Sequence, residues 1–176
     1  MKNSKNTNLK DCIRNIPDFP KAGILFKDIT TLLKDKSAFR QAVNGLCRQY
    51  SNKKIDCIVA VEARGFILGG AVAHKLGAGF VPVRKKGKLP ASTISATYDL
   101  EYGTDTLQMH RDAIKAGEKV LIVDDLLATG GTVKAVTGLV KQLKGKILGI
   151  AFLIELTDLN GREKLKGYPV YSLIKY

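Results

Sequence analysis

The sequence predicts an α/β fold: a right-handed, mostly parallel sheet with helices on both faces. Short apolar, β-branched segments alternate with amphipathic helical patterns along the chain, which is typical of parallel sheets with helical crossovers. Twice an apolar segment runs into a short turn and then into a helix, at Ile55–Leu76 and at Lys119–Val140. One hairpin pattern interrupts this alternation. Functional side chains are therefore expected at the carboxyl ends of the parallel strands.

Length and composition are those of one globular domain. The chain has 176 residues, of which 45% are hydrophobic, so we expect a single domain over residues 1–176 with a sizeable core. Residues 1–8 are expected to form a flexible tail. Because no apolar run approaches about 18 residues, the sequence predicts no membrane span. The first residues, MKNSKNTN, lack the apolar core of a secretory signal.

The three cysteines, Cys12, Cys47 and Cys57, are odd in number and widely spaced, which is not the pattern of a disulfide framework. We expect Cys47 and Cys57 to be small buried apolar residues, and a reducing cytoplasm is the simplest location. The two histidines are far apart and form no metal-ligand spacing. The sequence therefore predicts no dedicated protein-held metal site.

The chain is strongly basic, since 29 Lys and Arg against 16 Asp and Glu give a net charge of +13. Such a charge suits a nucleic-acid binder or a site for a polyanionic small molecule. The lysines are spread over the whole chain, and no aromatic-interleaved basic run occurs. A polyanionic substrate is therefore favoured, and nucleic acid is the less favoured partner.

Each predicted element rests on a local pattern. A short helix over Lys10–Ile16 should end at Pro17, and Pro20 and Gly23 keep Asp18–Leu33 in a loop. Helices show apolar residues at helical spacing, and strands show short apolar runs. The remaining elements are a helix over Asp35–Tyr50, a strand over Ile55–Val61, a helix through Leu68, Val72 and Leu76, a strand over Gly79–Arg84, a hairpin of Thr97–Glu101 and Thr104–His110, a strand over Lys119–Val123, a helix from Val133, and a strand over Lys146–Leu156.

Candidate functional groups are concentrated between Lys119 and Val140, in the stretch KVLIVDDLLATGGTVKAVTGLV. Asp124 and Asp125 follow the predicted strand and can accept hydrogen bonds from sugar hydroxyls. A loop of small residues, Ala128–Thr132, leads into a helix whose N-terminal N–H groups suit a phosphate. The stretch therefore fits a ribose 5-phosphate, with the diol on the acids and the phosphate in the loop. The alternative is an ordinary strand-to-helix turn with aspartates near the helix start.

The segment VLIVDDLLATGGT resembles the phosphoribosyl-pyrophosphate (PRPP) motif of type I phosphoribosyltransferases. Its version, with two aspartates and an alanine before Thr-Gly-Gly-Thr, is similar to that of the adenine phosphoribosyltransferases. The resemblance implies the type I phosphoribosyltransferase fold, with a small N-terminal hood and an inserted β-hairpin lid. It also implies that Asp124 and Asp125 bind the ribose of PRPP. The implied 5-phosphate residues are Ala128, Thr129, Gly130, Gly131 and Thr132.

Two further motifs resemble the parts of that family that contact the diphosphate. The turn EARGF implies that Arg64 binds there, and the planar fork of arginine can hold two oxygens. The segment RKKGKLP resembles a mobile lid that supplies cations, here Arg84, Lys85 and Lys88. In the family's dimers some of these cations come from the neighbouring subunit. Arg84 is the residue expected to act across such an interface.

The segment DFPKAGILF resembles the family's adenine-binding segment. The resemblance implies that Phe26 stacks on the base, while Leu25 and Lys27 contribute mainly backbone contacts. Such contacts can distinguish an amino group from a carbonyl, because the wrong base leaves a buried polar group unpaired. Ala22 stands where the family usually has proline, a change that should loosen the loop slightly.

Glu101, in the segment LEYG, is the expected proton-transfer group. Relatives that handle oxo-purines carry an aspartate inside the PRPP loop, just before Thr-Gly, where this chain has Ala128. The adenine family uses the glutamate of LEYG instead. The alternative is an exposed hairpin glutamate without a role. His110 is expected to pack or hydrogen-bond beside the site rather than to act as the base.

The resemblance extends from about Ile13 to Tyr176 and includes five motifs in the expected order. It implies transfer of the 5-phosphoribosyl group from PRPP to adenine, giving AMP and pyrophosphate in purine salvage. It further implies Mg²⁺ held mainly by PRPP and water, and a homodimer. Two other functions stay open: a transferase for another purine base, and a non-catalytic PRPP-sensing regulator that binds nucleic acid.

Overall fold

The structure is a computed structural model that describes residues 8–99 and 103–176, but not the side chain of Asp99. The chain forms two compact units, one ending at Gly45 and one spanning Leu46–Tyr176. The predicted flexible tail lies outside the described residues, apart from Asn8. The interpretation of the chain as a single domain stays a prediction.

The first unit contains a short antiparallel ladder. Its elements are, in order, a 3₁₀ turn at Leu9–Cys12, strand β1 (Arg14–Ile16), strand β2 (Phe26–Asp28) and helix α1 (Thr30–Lys34). The predicted helix over Lys10–Ile16 is therefore wrong beyond Cys12. Pro17 favours an extended residue before it, and the extended segment pairs with β2. The predicted loop over Asp18–Leu33 is likewise interrupted by β2 and by α1.

Asp28 joins β1, β2 and the start of α1. Arg14 Nη2 lies 2.5 Å from Asp28 Oδ2, and the N–H of Thr30 donates to Asp28 Oδ1 at 2.9 Å. The hydrogen bond from the Thr30 N–H contributes most, and together these interactions lower the pKa of Asp28 to about 2. The carboxylate is therefore charged at neutral pH, when it can hold all three elements together.

Helix α2 (Lys36–Arg48) begins in the first unit and ends in the second. Asp35 caps its first turn, because its carboxylate accepts the N–H groups of Ser37 and Ala38 at 2.8 and 2.7 Å. The helix predicted over Asp35–Tyr50 is confirmed, with the aspartate as its cap and its end before Tyr50.

The second unit is built on one sheet. Its strands are β3 (Cys57–Val61), β4 (Gly79–Lys85), β5 (Thr93–Asp99), β6 (Thr104–His110), β7 (Lys119–Leu127), β8 (Lys146–Glu155) and β9 (Val170–Lys175). Among the described residues the order is β5-β6-β4-β3-β7-β8-β9, parallel from β4 to β9 and antiparallel at β5 and β6. The helices are α3 (Arg64–Leu76) and α4 (Gly131–Gln142), and 3₁₀ turns lie at Thr157–Leu159 and Gly161–Leu165. Within residues 8–99 and 103–176, no helix combines the length and apolar character needed to cross a membrane.

Helices α3 and α4 cover opposite faces of the sheet. Side chains alternate between the faces along a strand, and one face of β3 meets α3, since a Cβ atom on Gly69 would lie 2.6 Å from Ala60 Cβ. The alternate residues of β3 share a buried cluster with α4: Cys57, Val59, Val61, Val133, Val136, Leu139 and Val140. The prediction of helices on both faces is confirmed.

The strand order creates a topological switch point between β3 and β7. From β3 the chain crosses through α3 to β4 on one side, and from β7 it crosses through α4 to β8 on the other. In open α/β sheets, ligands bind at such a point, in the crevice outside the carboxyl ends of the strands. The turns that border this crevice are residues 62–63, after β3, and residues 128–130, after β7.

Both β7 and α4 are longer than the sequence predicts, and both extend towards the loop between them. The strand predicted over Lys119–Val123 continues to Leu127, because it stays paired with β8. The helix predicted from Val133 begins at Gly131. The acid pair therefore lies within the strand, and the loop is shortened to Ala128–Gly130.

The predicted hairpin is present as β5 and β6. Its register runs from Thr93 paired with His110 to Asp99 paired with Thr104. The first strand begins earlier than the predicted Thr97, and residues 100–102 lie outside the described residues. The hairpin joins the edge of the sheet through β4.

Gly69→Ala should destabilise the protein, because the added methyl group would lie 2.6 Å from Ala60 Cβ and 3.1 Å from the Phe80 ring. We expect the free energy of unfolding to fall by about 1–3 kcal/mol, the usual cost of overpacking, as measured by urea denaturation. Gly70→Ala is the matched control in the same helix, where a Cβ atom would have nothing within 4 Å. Alanine is the better helix former, so this variant should be as stable as the parent or more stable. Equal stability of the two variants would contradict the packing of α3 on β3.

Candidate active site

Two adjacent carboxylates, Asp124 and Asp125, lie buried near the carboxyl end of β7. Each residue is 8% exposed, and the N–H of Asp125 donates to Asp124 Oδ1 at 2.9 Å. The strand before them is wholly buried, with Val120–Val123 at 0% exposure. Burying carboxylates costs folding free energy, and groups held in this way are typical of functional sites.

The surroundings of the pair favour protonation. Burial raises the pKa of Asp124 well above its usual range, and the charge of Asp125 raises it further. Burial also raises the pKa of Asp125, but Arg64 offsets part of that effect, since its Nε lies 2.7 Å from Asp125 Oδ2. The negative charge on the pair is therefore reduced or balanced, and its oxygens can accept hydrogen bonds from neutral hydroxyl groups.

The first turn of α3 packs directly on the acid pair. A Cβ atom on Gly65 would lie 2.6 Å from Asp124 Oδ1, so this close approach of α3 to β7 requires glycine. The peptide bond between Glu62 and Ala63 is cis. Ala63 is the residue before α3 and has no polar side chain with which to cap it. The first N–H groups of α3 can therefore bind an anion next to Arg64.

A second anion cradle lies where β7 leads into α4. Gly130 has a left-handed φ of 78°, and a Cβ atom there would lie 2.5 Å from the carbonyl oxygen of Gly161. Both features require glycine. As the residue before α4, Gly130 offers no side-chain cap, and Thr132 adds a hydroxyl donor. The free N–H groups and the helix dipole can bind a phosphate here.

Strand β4 brings cations to the same edge of the sheet. Arg84 Nε and Nη2 donate to Glu62 Oε2 at 3.1 and 2.8 Å, and the N–H of Lys85 donates to Glu62 Oε1 at 2.6 Å. Lys85 Nζ lies 3.1 Å from Asp105 Oδ2, and Arg84 Nη1 donates to the Lys88 carbonyl at 3.1 Å. The Arg84 side chain thus lies beside the turn after β3 and is bound within its own chain, while the Lys85 side chain is held by β6.

Glu62 and Asp105, the carboxylates that hold these cations, are not among the functional residues predicted from the sequence. Burial alone would raise the pKa of Glu62, but the Lys85 N–H and the Arg84 guanidinium lower it below its usual range. Lys85 likewise lowers the pKa of Asp105. Glu62 could have been found, because it follows a buried strand directly. Asp105 depends on the pairing of β6 with β4 and leaves no local signal.

The residues predicted to bind the base lie in the first unit. Leu25 is 50% exposed, and Phe26 and Lys27 belong to β2. The Phe26 ring meets the edge of Phe19 at a centroid distance of 5.1 Å, and Lys27 Nζ donates to Asn15 Oδ1 at 2.8 Å. Exposed apolar side chains in this segment are compatible with a binding surface.

Glu101, the predicted proton-transfer group, lies outside the described residues, between β5 and β6. At the far end of β6, His110 Nε2 accepts the N–H of Ala91 at 3.4 Å, and its place beside the site stays a prediction. Within the described parts of the chain, no three histidine, cysteine, aspartate or glutamate side chains are grouped to hold a metal ion. Carboxylate oxygens such as those of Asp124 and Asp125 do suit Mg²⁺.

Comparison with known proteins identifies the family. A model of the phosphoribosyl transferase domain matches residues 30–175. The adenine phosphoribosyltransferase of Brachyspira hyodysenteriae is 61% identical over 168 residues, which cover 96% of this chain and 99% of the relative. This chain belongs to the adenine phosphoribosyltransferase family.

Solved adenine phosphoribosyltransferase structures share the fold. The structure from Thermoanaerobacter pseudethanolicus has a TM-score of 0.93 at 56% identity, covering 96% of this chain and 98% of that one. The structure from Saccharomyces cerevisiae, complexed with D-2,5-dideoxy-2,5-imino-altritol 1,6-bisphosphate and adenine, has a TM-score of 0.89 at 43% identity, covering 94% and 96%. The predicted family and fold class are confirmed.

Asp124→Asn should stabilise this family member at neutral pH. Burial raises the pKa of Asp124 in the folded state above the pKa of about 4 that it has in the unfolded chain. Folding therefore becomes less favourable as the pH rises above about 4, because the unfolded chain ionises more readily. The amide keeps an acceptor for the Asp125 N–H. We expect a gain on the order of 1 kcal/mol at pH 7, measured by urea denaturation, that disappears below about pH 4.

Asp105→Asn is the control, and its effect on stability should have the opposite sign, because Lys85 lowers the pKa of Asp105. Its charged form stabilises the fold above the unfolded pKa, so the amide should lower stability at pH 7. Loss of stability at pH 7 in Asp124→Asn would contradict the account of the acid pair.

Proposed function

We propose that this chain transfers the 5-phosphoribosyl group of PRPP to adenine, giving AMP and pyrophosphate in purine salvage, with residues 1–176 acting as one domain. The observation that carries the proposal is the buried pair Asp124–Asp125, at a topological switch point and just before the N-terminus of α4. Membership of the adenine phosphoribosyltransferase family supports the same reaction.

The ribose diol of PRPP is proposed to donate hydrogen bonds to Asp124 and Asp125. The 5-phosphate then accepts hydrogen bonds from the loop and from the first N–H groups of α4. The order of the sites supports this assignment, since the diol and the 5-phosphate are neighbours in PRPP and the acids and the loop are neighbours in the chain. The residues proposed for the 5-phosphate are Ala128, Thr129, Gly130, Gly131 and Thr132.

The diphosphate is proposed to bind Arg64, Arg84, Lys85 and Lys88. Arg64, Arg84 and Lys85 each pair with a carboxylate, which holds the side chain in place before a substrate arrives. Negative charge develops on the departing pyrophosphate, so preorganised cations stabilise the transition state most. When bound, Mg²⁺ held mainly by PRPP and water would neutralise part of that charge.

Adenine is the proposed acceptor base. Leu25, Phe26 and Lys27 supply an aromatic ring for stacking and backbone groups for the amino edge of the base. Ala128 argues against an oxo-purine, because the loop then lacks a carboxylate before Thr129. The Saccharomyces cerevisiae relative, solved in complex with adenine, supports the same base.

A homodimer is also proposed, formed through an apolar patch on α3 and β4. Ile67 is 48% exposed and Phe80 is 39% exposed, and the rings of Phe80 and Phe66 lie 5.6 Å apart in an edge contact. Adjoining exposed apolar side chains are typical of protein interfaces. Arg84 lies further along β4, and action across the interface would require it to exchange Glu62 for a group bound by the partner subunit.

The thiols support a cytoplasmic location for the chain. Cys12, Cys47 and Cys57 are free, as expected in a reducing compartment. Burial raises the pKa of the Cys57 thiol to about 11, so this residue is a packed apolar group and not a reactive thiolate.

Nucleotide formation from PRPP, Mg²⁺ and one purine base at a time tests the proposed reaction. Adenine alone should give AMP, while hypoxanthine, guanine and xanthine should give no product. Product from an oxo-purine would show that the base contacts of residues 25–27 are misassigned. Binding of PRPP without product from any base would favour a regulator, which a salt-dependent shift with DNA or RNA would support.

Glu101→Gln should separate turnover from PRPP binding. We propose that Glu101 manages the proton on the imidazole ring of adenine, so its loss should lower kcat by about 10²–10⁴-fold. The affinity for PRPP, measured by calorimetry, should change far less. Glu163→Gln is the control, since the Glu163 side chain is 64% exposed and pairs with Lys166. An unchanged kcat in Glu101→Gln would remove Glu101 from this role.

A further inference from the structure

An ion pair between the buried carboxylate of Glu155 and the partly exposed Arg162 lies next to the loop proposed to bind the 5-phosphate. Arg162 Nε and Nη2 donate to the two oxygens of Glu155 at 2.5 and 2.7 Å. Nη1 donates to the Val170 carbonyl at 3.0 Å, and Nη2 also reaches Ser172 Oγ at 3.3 Å. The Glu155 side chain is 6% exposed, whereas the Arg162 side chain is 39% exposed. A buried carboxylate is tolerated when it is paired and hydrogen-bonded, and Arg162 satisfies both oxygens of Glu155.

The residue before Arg162 forms the contact with the loop. Gly161 packs so closely that a Cβ atom on it would overlap the Ala128 carbonyl oxygen and lie 2.9 Å from Leu127 Cδ1. From the loop side, a Cβ atom on Gly130 would lie 2.5 Å from the carbonyl oxygen of Gly161. The backbone at Gly161 therefore packs directly against residues 128–130 and supports them.

The ion pair and the loop are also joined through the sheet. Glu155 lies in register with Leu127, the last residue of β7, and the N–H of Leu156 donates to the Leu127 carbonyl at 2.9 Å. Leu165, at the end of the 3₁₀ turn that carries Arg162, is 1% exposed. A closed path of contacts thus runs from β7 to β8, through the ion pair to Gly161, and back to the loop.

We propose that Glu155 and Arg162 are positioning residues for PRPP: their ion pair holds Gly161 against Ala128–Gly130 and thereby orients the N–H groups that receive the 5-phosphate. Neither side chain touches the substrate. The inference rests on the proposed function. Because several N–H groups bind one phosphate together, a small displacement of the loop weakens all of these hydrogen bonds at once.

Two substitutions test this role by different routes. Arg162→Gln removes the charge that fixes the turn, and Gly161→Ala displaces the loop by steric contact alone, since the Gly161 backbone is not left-handed. In each variant we expect KM for PRPP to rise about 10-fold or more, which is the size of effect expected when a group is misplaced by less than about 1 Å. KM for adenine should stay within about twofold of the parent value. A variant that merely lost folded protein would show a lower apparent kcat with both KM values unchanged.

Lys166→Ala is the matched control from the same segment, because Lys166 and Glu163 form a surface pair with side chains 75% and 64% exposed. It should leave both KM values unchanged. Calorimetric titration with PRPP and Mg²⁺ gives the readout that does not depend on turnover, with affinity reduced in the Arg162 and Gly161 variants and retained in the control.

The outcomes separate this inference from the function on which it rests. Parental PRPP affinity in folded Arg162→Gln and Gly161→Ala would overturn the positioning role and leave the proposed reaction intact. A parent chain that does not bind PRPP would overturn the reaction and the inference together. Should Arg162→Gln fail to fold, Gly161→Ala alone decides.

Discussion

Two neighbouring carboxylates buried within β7 are the constraint on which the rest of the second unit depends. Burial and mutual repulsion make Asp124 and Asp125 unfavourable in the folded state. Arg64 offsets part of this charge, and Gly65 lets the helix that carries Arg64 come close enough to do so. What remains is a pair of fixed acceptors whose orientation does not have to change when a diol arrives.

The sheet topology turns this local constraint into a site. Because the crossovers from β3 and β7 leave in opposite directions, the N-termini of α3 and α4 both border the crevice that holds the acids. On β4, Arg84 is held by Glu62 beside the first helix terminus, and Lys85 is held by Asp105 of β6. A substrate with a phosphate at one end, a diphosphate at the other and a diol between them matches this distribution of charge.

Local pattern predicted much of this arrangement, because Arg64 and the acid pair each follow a buried run of residues. It could not predict features that depend on distant partners. Strand β7 continues through its polar residues because β8 lies alongside, and β1 is extended because β2 pairs with it. Asp105 and Gly161 acquire their roles only through contacts with Lys85 and Ala128, which are far away in the sequence, so no local signal marks them.

The most direct measurement is a crystal structure of the chain grown with PRPP and Mg²⁺ but without a base. The account predicts the ribose hydroxyls within about 3 Å of the carboxylate oxygens of Asp124 and Asp125. It also predicts the 5-phosphate on the backbone N–H groups at the start of α4, next to Thr132. A ribose turned away from the acid pair, or a 5-phosphate bound anywhere but this loop, would contradict it.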